Sequence, residues 1–198
     1  MRNSRLGLTA VLASAILPLT LHAQADIRPV AEQLISATLP LPKDLRADAG
    51  VMGYKTAGKL EILRAPKNGM MCLANDPSAA SFHVACYHES MEPFMARGRE
   101  LRDGGTAGTQ VDTIRFAEVK SGKLKMPTQP SSLYQMNGPK GDFNPATGLA
   151  PNSKPTYVVY IPFATTMTTG LSSKPDGAKP WIMYPGTPKA HIMITGSM

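Results

Sequence analysis

Proline and glycine recur along the whole chain and limit the length of its helices and strands. The 198 residues include 18 prolines and 17 glycines. Because proline removes a backbone donor and glycine favours turns, regular elements are interrupted often. Hydrophobic residues make up 42% and charged residues 18%, a balance typical of a globular domain. The composition excludes a collagen-like, coiled-coil or multi-pass membrane protein.

The N-terminal segment, residues 1–25, has the organisation of a secretory signal peptide. Two arginines precede a mostly apolar, uncharged run over residues 6–21, and the segment ends in the Ala-Gln-Ala pattern that signal peptidase recognises. The run is at the short limit for spanning a bilayer, which favours cleavage over a membrane anchor. We therefore expect a periplasmic or secreted protein without a transmembrane segment after signal removal.

The exported chain carries a modest positive charge. The net charge of +7 falls to +5 once Arg2 and Arg5 leave with the signal peptide. Lys120, Lys123 and Lys125 cluster, and such a cluster attracts polyanions. Neither aromatic nor arginine side chains interleave there to stack bases, so the pattern favours a solvated lysine face and predicts no nucleic-acid partner.

Two cysteines, Cys72 and Cys86, lie in the exported part. In an oxidising compartment two thiols this close in sequence usually pair, and closing such a loop contributes about 3 kcal/mol. The alternative is a metal site that adds His83 and His88, but the spacing is not that of a standard zinc finger. We predict a disulfide, no metal and no cofactor.

Hydrophobic spacing predicts the elements of the first half. A helix capped by Asp26 is predicted from apolar residues at helical spacing: Ile27, Val30, Ala31, Leu34 and Ile35. Residues 51–54 and 60–63 predict a hairpin, residues 70–73 a third strand, and residues 75–81 a loop.

Two more helices are predicted in the middle of the chain. Ser90 is placed to cap one of them, and Thr109 with Asp112 resembles the capping box of another that ends near Ser121. Residues 111–119 also fit an alternating strand, and that alternative stays open.

The second half reads as strands separated by connections rich in glycine and proline: 133–136, 157–163, 181–184 and 190–194. Residues 157–163 are apolar on both faces, which is typical of a central strand. With no repeat and no linker, residues 26–198 predict a single α+β domain. We expect an antiparallel-rich sheet with two or three short helices against one face.

Two blocks of sequence carry a resemblance. The first contains Leu63-Arg64, Asn68-Gly69, Cys72, Asp76-Pro77 and Cys86, and the second contains Pro180-Trp181-x-Met183 and Gly186-Thr187-Pro188-x-Ala190-His191-Ile192-Met193. In these blocks the chain resembles a family of exported bacterial proteins of unknown function. The resemblance implies export, a paired-cysteine loop and a single fold, and it implies no mechanism.

Signatures of common chemistry are missing from the sequence. No P-loop, GxGxxG, GxSxG or CxxC motif occurs. His88-Glu89 begins a pattern like HExxH, but glutamate stands where the second histidine is required. Methionine is abundant and thioethers bind copper(I), yet Met91 and Met95 fall at core spacing, which favours packing.

The candidate site lies towards the C-terminus, where aromatic side chains offer a surface for a glycan or peptide: Tyr160, Trp181, Tyr184 and His191. Along residues 190–194, alternation places His191 on the face opposite Ala190, towards solvent, a helix or a pocket. A structural histidine with satisfied ring nitrogens and a functional histidine both fit this pattern.

Together these features predict an exported protein that binds an unknown envelope or extracellular ligand and has no chemistry of its own. The first alternative is a small envelope enzyme that uses His191 with a neighbouring carboxylate. The second alternative is a copper-binding module. The sequence leaves all three open.

Overall fold

The computed structural model describes residues 27–195, so the predicted signal peptide and the Asp26 cap lie outside the described residues. The strands are β1 (Gly50–Thr56), β2 (Lys59–Arg64), β3 (Met70–Leu73), β4 (Ser81–His88), β5 (Ser131–Pro139), β6 (Lys154–Tyr160), β7 (Trp181–Met183) and β8 (His191–Thr195). The helices are α1 (Val30–Thr38), α2 (Glu92–Asp103), α3 (Gln110–Lys120) and the single turn α4 (Thr166–Thr169).

All eight strands join one sheet in the order β2-β1-β3-β4-β5-β6-β8-β7. The β1–β3 pair is parallel and every other pair is antiparallel. The predicted single α+β domain with an antiparallel-rich sheet is confirmed. The hairpin of β1 and β2 is also where the sequence predicts it, and the strands predicted over 181–184 and 190–194 pair with each other as β7 and β8.

The strand predicted over 157–163 is β6, which ends earlier, at Tyr160. It has neighbours on both sides, whereas the middle of the sheet is the β4–β5 pair. The chain leaves the sheet at Pro162, which has no backbone donor for a ladder.

Helices cover both faces of the sheet, so the expectation that they share one face is wrong. The face of Cys72 and Cys86 packs against α1, and the face of Met71 and Tyr87 packs against α2 and α3. Neighbouring residues of β4 point to opposite faces, and both Cys86 and Tyr87 are buried. Because both faces of the strand are apolar, both need a cover.

Helix α1 buries a different face from the predicted stripe. Its buried residues are Gln33, Ser36, Ala37 and Thr38, while Val30 and Ile35 are exposed. The Gln33 amide donates to the Tyr54 carbonyl at 2.7 Å and accepts from the Tyr54 amide at 2.8 Å. Gly53 permits this approach, since a Cβ there would collide with Gln33 Oε1. Hydrogen bonding to β1 therefore sets the rotation of α1.

The disulfide between Cys72 and Cys86 is confirmed, with the two sulfur atoms 2.05 Å apart. The two residues lie directly opposite each other on β3 and β4. The bond therefore joins two strands under α1, and the loop it closes is the connection between them.

Helices α2 and α3 occur where the sequence predicts them, but the predicted caps do not form. A turn of 3-10 helix over Glu89–Met91 precedes α2, and the His88 ring accepts from the Ser90 amide. Thr109 precedes α3 without a side-chain cap. Among residues 27–195, no helix is both long and apolar enough to cross a membrane.

Candidate functional site

His191 begins β8 and lies opposite Tyr160 on β6 and Met183 on β7. The Tyr160 face of the sheet is the one that α2 and α3 cover, so His191 points towards these helices. The residue is 5% exposed. Its Nδ1 atom lies 2.6 Å from the carbonyl oxygen of Lys189. A carbonyl oxygen only accepts, so Nδ1 carries the proton and the neutral ring presents its lone pair at Nε2.

Two tyrosine rings lie against this imidazole. The ring centroids of Tyr160 and Tyr184 are 5.0 and 5.8 Å from that of His191. No residue in the 27–195 range hydrogen-bonds to His191 Nε2 or to the Tyr160 hydroxyl, and neither atom is sealed from solvent. We call the group formed by the rings of Tyr160, Tyr184 and His191 the aromatic recess. It holds two polar atoms that have no hydrogen-bond partner among the described residues.

A cluster of charges borders the aromatic recess. Asp112, in the first turn of α3, accepts from Lys189 Nζ at 2.8 Å and from the Arg115 guanidinium. The Lys189 ammonium lies 4.8 Å above the Tyr184 ring, and the Arg115 guanidinium lies 3.8 Å above the Phe94 ring. Both cations thus already contact the Asp112 carboxylate and an aromatic face, so an anionic ligand would have to compete with Asp112 for them.

Arg115 is the most deeply buried member of the charge cluster, at 3% exposure. One Nη donates to the Phe94 carbonyl at 3.0 Å and the other to Asp112. Its Nε atom is the buried side-chain nitrogen that lacks a partner within the described part of the chain. The Asp112 carboxylate is therefore what compensates this buried charge.

Burial and neighbouring charges set the protonation states around the recess. Burial lowers the pKa of His191, the Lys189 carbonyl raises it, and the Lys189 charge lowers it again, for a net decrease. Burial raises the pKa of Tyr160 to about 12. Burial raises the pKa of Asp112, but the hydrogen bonds from Lys189 and Arg115 outweigh it and the net shift is downward. At neutral pH the site therefore holds a neutral imidazole, a neutral phenol and an ionised carboxylate.

Two aromatic residues beside the recess have left-handed backbone conformations. Phe163 has φ 65° and Tyr184 has φ 55°, and within residues 27–195 they are the non-glycine residues with positive φ. Their side chains are 53% and 43% exposed. The loops that carry them are joined by the Phe163 amide, which donates to the Thr187 carbonyl at 2.9 Å. Strained, exposed aromatic residues at one end of a sheet are typical of a binding surface.

A cavity of about 590 Å³ adjoins this end of the sheet. It lies between the loop of Phe163 and the segment that follows α3, and its lining includes Val119, Met126 and Pro130. Ile161, which follows Tyr160 in the chain, also lines it. Phe163 also lines the cavity, whereas Tyr160, Tyr184 and His191 do not.

The structure brings three of the four predicted site residues together: Tyr160, Tyr184 and His191. Trp181 lies on the same face in the edge strand β7, opposite Met193, and makes no ring contact with His191. Sequence reasoning missed Asp112, Arg115 and Phe163. The Asp112–Lys189 bond spans 77 positions, and nothing local in the sequence indicates it.

The residues of the alternative metal sites are dispersed or occupied. Cys72 and Cys86 are joined to each other, and residues 27–195 hold no group of three histidine, cysteine or acidic side chains placed to bind a metal ion. Glu92, the last residue of the HExxH-like pattern, accepts from the Tyr87 hydroxyl at 2.5 Å. Met91 is buried in the core, and Met95 packs against it.

Comparisons with known proteins give no further assignment. The chain matches no protein-family model, no curated protein and no solved structure at a significant level.

Proposed function

We propose that this is an exported binding protein of the bacterial envelope and that its aromatic recess binds a neutral, hydroxyl-rich ligand such as an oligosaccharide. The observation that carries the proposal is the His191 ring, whose Nδ1 is held by the Lys189 carbonyl, while Nε2 and the hydroxyl of the adjacent Tyr160 have no hydrogen-bond partner among residues 27–195. An acceptor and a hydroxyl on two adjacent rings suit a ligand that both donates and accepts hydrogen bonds.

The ion pairs around Asp112 favour a neutral ligand over an anionic one. Lys189 and Arg115 share the Asp112 carboxylate, and Lys189 also lies over Tyr184. An acidic ligand would compete with Asp112 for these cations and would meet its negative charge. A sugar avoids both costs, and its apolar ring face packs on exposed aromatic residues such as Tyr184 and Phe163.

Binding without catalysis fits the groups around His191 better than an enzyme does. A histidine base is usually oriented by a carboxylate and placed next to a nucleophile. Here Nδ1 is bonded to a backbone carbonyl, and within the described range no serine, threonine or cysteine side chain hydrogen-bonds to the ring. Asp112 reaches Lys189 Nζ instead of the imidazole.

Export is supported by the signal-peptide pattern of residues 1–25 and by the disulfide between Cys72 and Cys86. Disulfides persist in oxidising compartments such as the periplasm. Envelope and extracellular glycans are abundant there, which is the setting in which a glycan-binding protein acts.

The proposal is tested by a thermal-shift screen of the exported chain with neutral oligosaccharides of glucose, mannose and N-acetylglucosamine, followed by calorimetry. A ligand present at 100 times its Kd stabilises the fold by about 2.7 kcal/mol and raises the Tm. Oligogalacturonate serves as the acidic counterpart and short neutral peptides as the competing ligand class. We expect a neutral oligosaccharide to bind, and oligogalacturonate to bind more weakly.

Two variants locate the site. Tyr184→Ala removes an exposed ring and should abolish binding. His191→Asn keeps a donor near the position of Nδ1 but removes Nε2, and the lost hydrogen bond should weaken binding about tenfold. Tyr157→Ala, on the opposite face, is the matched control and should bind normally. Binding of peptides alone, or oligosaccharide binding that Tyr184→Ala leaves unchanged, would contradict the proposal.

A further inference from the structure

An apolar groove lies on the face of the sheet opposite the aromatic recess. It has a volume of about 580 Å³ and forms where the segment after α1 and the residues around Ala150 lie over β5 and β6. Its lining includes Leu39, Leu41, Tyr134, Met136 and Tyr157, together with four prolines. We call it the proline groove. Its volume and composition are those of a small-molecule site.

Two tyrosines form the aromatic part of the proline groove. Tyr134 on β5 lies directly opposite Tyr157 on β6, and their ring centroids are 5.8 Å apart in an edge-to-face arrangement. Their neighbours in the groove are aliphatic side chains and prolines. The floor therefore presents hydrocarbon and aromatic surface, which suits an alkyl chain.

The charged residues of the groove are both cations. Lys43 and Arg46 line it, and no acidic residue does. The Arg46 Nε and Nη2 atoms donate to the carbonyls of Leu41 and Leu39 at 2.8 and 2.7 Å, which holds the guanidinium against the wall. Within residues 27–195 neither cation forms a salt bridge. This positive charge lacks an internal counterion, unlike the charge beside His191.

Asp142, an acid behind the groove wall, already has its hydrogen-bond partners. Ser153 lines the groove, and its hydroxyl donates to Asp142 at 2.5 Å. The Asp142 carboxylate also accepts from the backbone and side chain of Asn152. The Asp142 carboxylate therefore binds groups of its own loop and does not neutralise Lys43 or Arg46.

Exposed apolar side chains continue from the groove onto the surface. Leu149 is 56% exposed, and Ile35 on α1 is 48% exposed. Ile35 Cγ2 lies 3.6 Å from the position that a Cβ on Gly148 would take, so Ile35 lies beside the residue that precedes Leu149. These exposed side chains extend the apolar surface that a ligand of the groove can contact.

We propose that the proline groove binds a single-chain fatty acid, with the alkyl chain on the tyrosine and proline surface and the carboxylate at Lys43 and Arg46. Apolar lining selects the hydrocarbon, and unpaired cations select the acidic head over a neutral alcohol. The proline groove lies on the opposite face of the sheet from the aromatic recess, so the fatty-acid proposal does not depend on the glycan proposal.

A chain-length series tests this assignment in the exported chain. Saturated fatty acids of increasing length are titrated by calorimetry below their micellar concentrations, beside alcohols of equal length. Each added CH2 should tighten binding about fourfold, until the chain fills the groove and the affinity levels off. The matched alcohol should bind at least tenfold more weakly.

Matched variants test the contacts of the carboxylate and those of the alkyl chain separately. Lys43→Gln should weaken binding of the acid about three- to tenfold and leave the alcohol unchanged, whereas Lys140→Gln, elsewhere on the surface, should change neither. Leu149→Glu places an acid at the exposed edge and should weaken the fatty acid more than Leu149→Gln does. Both Leu149 variants alter an exposed residue, so the fold is kept.

Affinity that does not depend on chain length, or equal binding of acid and alcohol, would overturn the proposal. Binding of proline-rich peptides with no binding of fatty acids would also overturn it and would assign the groove to a peptide. Tyr184→Ala should leave fatty-acid binding intact, so failure here is distinguishable from failure of the glycan proposal.

Discussion

His191 donates from Nδ1 to the carbonyl oxygen of Lys189, two residues earlier, over 2.6 Å. This one hydrogen bond fixes the tautomer of a buried imidazole and leaves Nε2 as an acceptor in the aromatic recess. The side chain of the same Lys189 is held by Asp112 on α3. A single residue therefore sets the chemistry of the histidine through its backbone and connects β8 to the helix layer through its side chain.

Stability should depend on pH through His191. Burial lowers the pKa of this group below its ordinary 6.5, against the effect of the Lys189 carbonyl. The unfolded chain therefore takes up the proton first as the pH falls. The stability that the neutral His191 ring contributes is fully present above about pH 6.5. This contribution is lost as the pH falls from there through the folded-state pKa of His191.

Urea denaturation at a series of pH values measures this effect. The loss between neutral and mildly acidic pH should be smaller in His191→Asn than in the wild type, while His83→Asn, which alters an exposed histidine, should keep the wild-type slope. Identical slopes in all three proteins would show that His191 does not contribute.

Asp112→Asn should destabilise the fold by about 3 kcal/mol, because it leaves the buried Arg115 guanidinium without its carboxylate. Asp176→Asn is the control. Asp176 pairs with Lys179 on the surface, where both side chains are more than two-thirds exposed, and its loss should change stability by no more than about 0.5 kcal/mol. Equal losses in chemical denaturation would mean that the Asp112 cluster is not a structural unit.

Substitutions at Tyr184 separate backbone strain from ring packing. Tyr184→Gly and Tyr184→Ala both remove the ring, but alanine keeps the penalty of positive φ. The glycine variant should therefore be more stable than the alanine variant by about 1 kcal/mol. In the strand at Tyr157 the order should reverse, since glycine weakens a strand. The same order at both positions would show that Tyr184 is unstrained.

Breaking the disulfide should cost about 2–5 kcal/mol, measured as the denaturation of a Cys72→Ser, Cys86→Ser double variant. The wild-type protein, unfolded without reductant, should show no free thiol, because Cys72 and Cys86 are joined. Two titratable thiols would contradict the pairing.

Local patterns predicted much of the fold. The β1–β2 hairpin, β3, and helices α2 and α3 follow from spacing and turn residues. Strand β4 was missed, although Phe82, Val84 and Cys86 alternate, because the segment follows a polar loop and contains histidines and small residues. It is the strand that pairs with both β3 and β5. Pairing with β3 and β5 therefore determines that this segment is a strand as much as its own residues do.

Long-range pairing explains the remaining differences. The buried face of α1 is chosen by Gln33, whose amide completes the hydrogen bonding of Tyr54 on β1. The hydrophobic periodicity of α1 places Gln33 on the solvent side, so it predicts the wrong buried face for this helix. At the site, the cluster of aromatic residues near the C-terminus and the alternation along residues 190–194 predict Tyr160, Tyr184 and His191, but the Asp112–Lys189 bond depends on how α3 crosses the sheet.

Nitrogen-15 NMR of the His191 ring tests the central claim most directly. The spectrum is recorded at neutral pH for the free protein and at saturation with the neutral oligosaccharide that gives the largest rise in Tm. We predict a neutral ring with the proton on Nδ1, and an Nε2 resonance that moves towards the hydrogen-bonded position when the oligosaccharide binds. A proton on Nε2 in the free protein, or an Nε2 resonance that stays in place while the oligosaccharide is bound, would contradict the account.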